Sequence, residues 1–139
     1  FHEGMERSAE FSREILSDLK VPTDVIAHVA HIVDNISFRK GVDPNSLPLE
    51  GKIVQDADRL DALGAIGVVR TIEYGAMMGQ PFHEIGCDPE SAKTGVGHFY
   101  QKLFKLSGLL NTDAARRMAG QREEFMRNFL DQFFQECNA

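Results

Sequence analysis

The sequence predicts an all-α chain, a helical bundle of about five helices, and three observations lead there. Apolar residues recur at three- and four-residue spacing through most of the chain. No segment alternates apolar and polar residues over the length of a strand. Glycine and proline gather in two stretches, Arg39 to Glu50 and Gly75 to Gly97, which read as loops.

The first helix runs from about Glu6 to Leu19, with Phe11, Ile15, Leu16 and Leu19 at helical spacing. Pro22 precedes Thr23, a candidate N-cap for a second helix that carries Ile26, Val29, Ala30, Val33 and Ile36 on one face. A long third helix is expected from Leu49 or Gly51 through Tyr74. Gly64 and Gly67 each weaken such a helix by about 1 kcal/mol relative to alanine, so packing has to compensate. A fourth helix covers roughly His98 to Leu106. The fifth starts after Asn111-Thr112-Asp113, with Thr112 as cap, and ends near Glu136. Its Phe125, Phe129 and Phe133 recur every four residues, flanked by Met126, Leu130 and Phe134. That stripe reads as core or as a helix–helix interface, which leaves room for a homodimer.

The chain of 139 residues fits a single domain, residues 1–139, with one sizeable core. A formal net charge of −6 argues against a nucleic-acid polymer or an anionic membrane as the main partner. Cys87 and Cys137 lie far apart and without metal-ligand spacing, which suits reduced thiols and a cytoplasmic location. No apolar run approaches a membrane span, and Phe1-His2-Glu3-Gly4-Met5 has no basic region followed by an apolar one, so no signal peptide is visible. The abrupt opening on Phe1 reads as the interior of a longer protein.

Chemistry concentrates in Lys52-Ile53-Val54-Gln55-Asp56-Ala57-Asp58-Arg59-Leu60-Asp61-Ala62-Leu63-Gly64-Ala65. Three carboxylates and an arginine stand in a helical run that is otherwise largely apolar, a costly arrangement unless a cation or a hydrogen-bond network compensates them. Asp58 and Asp61 share a helical face, whereas Asp56 lies about 160° from Asp58 and serves another partner. Arg59 can pair with Asp56 or with an acidic group on a neighbouring helix. A half-exposed helix laced with salt bridges explains the same residues, though less well the apolar run that follows. His28 and His31 face one way on the second helix, spacing that suits a transition metal but also arises by chance. His98 and Lys102, one turn apart, can contact a phosphate; a helix-start histidine beside a solvated lysine is the plainer reading.

The run Ile53 to Gly67 closely resembles the last motif of the HD-domain metal-dependent phosphohydrolases, in particular their small stand-alone bacterial branch. Asn35-Ile36-Ser37-Phe38-Arg39, Leu49-Glu50-Gly51-Lys52 and His98-Phe99-Tyr100-Gln101-Lys102-Leu103 extend the resemblance over most of the chain. It implies a helical bundle holding one or two divalent metals (Mn, Mg, Ni, Co or Fe) through an early His, a His-Asp doublet and a late Asp. It implies hydrolysis of nucleotides or related phosphate esters and anhydrides by metal-activated water. The late Asp maps onto Asp58 as metal ligand; beside it His31 is a candidate extra ligand from its spacing to His28, Asp61 and Arg59 are candidate catalytic groups, and Asp56 is a candidate supporting group. Lys52, His98 and Lys102 face the phosphate. The sequence departs from the family in having no His-Asp doublet. The expectation is therefore an N-terminally incomplete HD-type domain, active in the full-length protein but inert as this fragment. A non-catalytic helical module that senses a nucleotide or drives oligomerisation is the alternative.

Overall fold

A computed structural model describes residues 7–36 and 46–137, and these residues contain helices and turns but no strand. The helices are α1 (Ser8–Asp18), α2 (Thr23–Asn35), α3 (Leu49–Asp61), α4 (Gly64–Met77), α5 (Gly95–His98), α6 (Phe104–Leu106) and α7 (Asp113–Cys137). A π-helical turn, Phe99–Leu103, joins α5 to α6, and a 3-10 turn, Ser107–Leu109, follows α6. The all-α expectation holds. The chain groups into two compact units, Phe1–Gln55 and Asp56–Ala139.

In the first unit, α1 ends in a Schellman arrangement. Val21 N–H reaches Leu16 O at 3.0 Å, Lys20 N–H reaches Ser17 O at 2.9 Å, and Lys20 takes the left-handed conformation at φ 56°. Thr23, expected as the cap of α2, is instead its first helical residue. Pro22 holds the cap position at φ −54°, ψ 141°, with no side-chain bond. Proline's fixed φ suits a helix start, and its missing N–H leaves no donor to satisfy there. Ala9, Ile26, Ala30 and Leu47 are buried. Of the proposed Asn35 to Arg39 motif, residues 37–39 lie outside the described residues, as do 40–45 of the first expected loop.

The second unit closes on one apolar cluster that includes Leu60, Leu63, Val68, Val96, Phe99 and Met126. Phe99 is fully buried and meets Phe82 and Phe104 edge-on, with ring centroids 6.2 and 6.0 Å away. A buried phenylalanine of this kind contributes about 1.5–3 kcal/mol. On α7 the fully buried residues are Ala119, Met126 and Leu130, while Phe125 is half exposed and Phe129 and Phe133 only flank the core. The phenylalanine stripe is thus the edge of the buried face rather than its centre.

The long third helix of the sequence reading is broken. Ala62 and Leu63 N–H groups turn back to the Arg59 and Leu60 carbonyls, 3.2 and 3.0 Å away, and Gly64 then takes φ 77°. A Cβ on Gly67 would lie 2.2 Å from Ala62 O, so only glycine lets α4 fold back this tightly on the end of α3. The two glycines mark a corner, not a weak helix. The second expected loop is shorter than Gly75 to Gly97, because α4 continues to Met77 and α5 begins at Gly95. Thr94 caps α5 by accepting Gly97 N–H at 3.0 Å, and so moves the start of the fourth helical segment ahead of His98.

Two glycine substitutions separate these roles. Gly67→Ala should lower stability by about 2 kcal/mol or more in urea unfolding, through its collision with the Ala62 carbonyl. Gly120→Ala, inside α7 with open space around its Cβ position, should raise stability by about 1 kcal/mol.

Candidate functional site

The two faces of α3 carry its charges differently. Asp56, Arg59 and Leu60 are buried, whereas Ala57, Asp58 and Asp61 are exposed. This is the division expected of residues three and four apart on a 3.6-residue helix.

Asp56 is 2% exposed and accepts four hydrogen bonds. Oδ1 takes Asn111 N–H at 2.8 Å and Asn111 Nδ2 at 2.9 Å. Oδ2 takes Thr112 N–H and the Thr112 hydroxyl, both at 2.8 Å. Burial alone would raise the carboxyl pKa. The bonds from Asn111 and Thr112 outweigh it and hold the group below its ordinary value of 3.8. Thr112 Oγ also accepts Ala115 N–H at 3.3 Å, the cap foreseen for α7. Asp56 therefore satisfies the donors that lead into α7.

Arg59 is 8% exposed and donates through Nη1 to Leu109 O, while its buried Nε has no hydrogen-bond partner. Burial pulls its pKa down, against the attraction of Asp56 and Asp58. The sequence suggested a carboxylate partner for Arg59; it faces inward instead onto the Leu109 carbonyl, with Asp56 and Asp58 acting on it only through their charge. Asp61, half exposed, pairs with Arg70 across the α3–α4 corner. Arg122 of α7 donates to Leu60 O, so a cation caps the C-terminal end of α3.

In the first unit, His31 has partners at both ring nitrogens. Nε2 lies 3.3 Å from Ser46 O, and Nδ1 lies 3.3 Å from Asn35 Nδ2. The carbonyl can only accept, so Nε2 carries the proton and Nδ1 accepts from the amide. His28 Nε2 stands 3.6 Å from Glu50 Oε2 on an exposed face. Lys52 is partly buried on α3. In the second unit, His98 is half buried at the end of α5 and Lys102 is exposed on the π turn. Burial, then the Lys102 charge, lowers the His98 pKa, so its ring is neutral at pH 7. Among the described residues, no three His, Cys, Asp or Glu side chains gather where they could hold a metal ion.

The sequence did not reveal the partners of Asp56, which lie 55 and 56 positions away in a turn that reads only as a helix start. Thr112-Asp113 signalled the cap but not the acid that would bind it.

The chain is similar to known proteins in both sequence and fold. An HD-superfamily hydrolase of Bacillus thuringiensis superposes with a TM-score of 0.76 at 40% identity, over 98% of this chain and 63% of its own. A Lactobacillus plantarum protein superposes at 0.72 and 40%, over 88% of this chain and 63% of its own. The uncharacterized Bacillus subtilis protein YpgQ is 42% identical over 106 residues, 75% of this chain and 49% of YpgQ. The crystal structure of YpgQ in complex with ADP superposes at 0.75. No protein-family model matches the chain. In sequence and fold the chain resembles an HD-superfamily hydrolase. The chain spans about half the length of the curated relative it matches.

Two measurements follow from the site. Asp56→Ala should cost about 3 kcal/mol or more, because four donors lose a charged acceptor. Because the folded pKa is depressed, Asp56 stabilises above about pH 4 and that contribution fades as pH falls through the folded pKa. Urea unfolding of wild type and Asp56→Ala should accordingly differ most at about pH 6–7 and draw closer as pH falls below about 4. By NMR, His98 should titrate below 6.5, and Lys102→Ala should move its midpoint upward.

Proposed function

We propose that the intact protein is a metal-dependent phosphohydrolase that acts on nucleotides or related phosphate esters and anhydrides. The observation that carries this reading is the match to the Bacillus thuringiensis HD-superfamily hydrolase over 98% of the chain. The ADP complex of YpgQ supports a nucleotide as the substrate class.

Asp58, exposed on α3 within the resembling motif, is our candidate metal ligand, and Asp61 a group that orients the attacking water. The described residues do not fit a metal by themselves, since no three donor side chains converge among them, so no catalytic step is assigned to the ion. Phosphate recognition falls to Lys102 and His98 in the second unit. The exposed ammonium of Lys102 supplies charge, and the neutral His98 ring offers one donor and one acceptor. Arg59, buried on Leu109 O, lends positive charge near Asp56 and Asp58 from behind. The absence of a three-donor cluster among the described residues favours a second reading, a non-catalytic module that senses a nucleotide.

A panel of dNTPs, NTPs and monophosphates with Mn, Mg, Ni and Co separates the two. Turnover by the intact protein that needs metal and falls at least a hundredfold in Asp58→Ala is the expected result. Nucleotide binding without turnover would select the sensor.

A further inference from the structure

The turn before α7 presents an acceptor and then two donors in sequence: Leu109 C=O, Asn111 N–H and Thr112 N–H. Two charged residues on the buried face of α3 consume all three. Arg59 donates to the carbonyl, and Asp56 accepts from both amides and from the Asn111 and Thr112 side chains. The match of charge to polarity is complete along the turn. Leu110, between these groups, is 3% exposed and anchors the turn in the core. Asp58 lies between Asp56 and Arg59 in sequence, yet it is exposed on the other side of the helix.

The geometry points to Asp56 and Arg59 as positioning residues, which clamp both flanks of Asp58 to the 109–112 turn and fix where that carboxylate is presented. Neither touches substrate. This assignment rests on the proposal that Asp58 belongs to the reactive site. Three observations argue for a clamp. Arg59 is more than nine-tenths buried, its Nη1 is spent on a backbone carbonyl, and every Asp56 oxygen already carries two hydrogen bonds. A phosphate contact would require the guanidinium to leave that carbonyl and reach solvent. The unpartnered Arg59 Nε is a buried N–H that only a nearby acceptor would claim, which makes it a reporter of whether anything enters.

The test uses the intact protein and two readouts. In kinetics, Arg59→Met should lower kcat about tenfold and leave KM within twofold, because Asp58 is presented less well while substrate is still held. Arg59→Lys, which keeps a donor for Leu109 O, should recover most of that loss. In NMR, the Arg59 Nε–H resonance should persist and stay in place when ADP or inorganic phosphate is added to millimolar concentration. A tenfold rise in KM with kcat intact would overturn the assignment. So would movement of the Nε–H resonance with ADP or phosphate, or a loss of stability in both variants with kcat unchanged. Asp58→Ala serves as the control. If that variant keeps full activity, the reading of the site fails, and the NMR arm still decides whether Arg59 meets a phosphate.

Discussion

One buried carboxylate organises the second unit. Asp56 is sealed from solvent within a helix, a position that would be untenable for an anion without compensation. Its compensation is four hydrogen bonds from Asn111 and Thr112, and those bonds join residues distant in sequence at the start of the longest helix. The donors gain as much as the acid. Asn111 and Thr112 N–H groups precede α7 and have no turn of helix behind them to accept their protons. One side chain therefore satisfies itself and the entrance to α7 together.

The corner between α3 and α4 follows the same logic. A helix end needs partners for its last carbonyls. Here the last turn of α3 tightens to three-residue bonds, and Arg122 of α7 donates to Leu60 O. Gly64 N–H finds Met126 Sδ at 3.0 Å, and the Arg122 stem lies over the missing Cβ of Gly64. Residues of α7 thus fasten α3 at its end, while the turn ahead of α7 fastens it through Asp56 and Arg59. Asp58 and Asp61 sit on the exposed side of a segment held at several points. Such restraint is what a site needs if its groups are to be held within about 0.5 Å of a working geometry.

Much of this was legible in the residues. Helical periodicity gave the all-α class, and Asp56 was separated correctly from Asp58 by the angle between them on a helix. Thr112 was recognisable as a cap because cap residues act locally. The α3–α4 corner was not legible, since Gly64 and Gly67 are equally at home in a close-packed continuous helix and in a reversal. Only the position of Ala62 O relative to Gly67 distinguishes the two. The phenylalanine stripe misplaced the centre of α7 for a related reason. Periodicity finds a face, but Met126 and Leu130 are its deeply buried members while Phe125 stays half exposed. The partners of Asp56 and Arg59 lie about fifty residues downstream, beyond any local pattern.

The central claim is that the Asp56 carboxylate holds the entrance of α7. Amide hydrogen exchange at Asn111 and Thr112 tests it most directly, because both N–H groups donate to Asp56. The account predicts slow exchange at both amides, on the scale of Met126 and Leu130 in the buried middle of α7. Exchange at the rate of an open loop, with Met126 and Leu130 still protected, would contradict it.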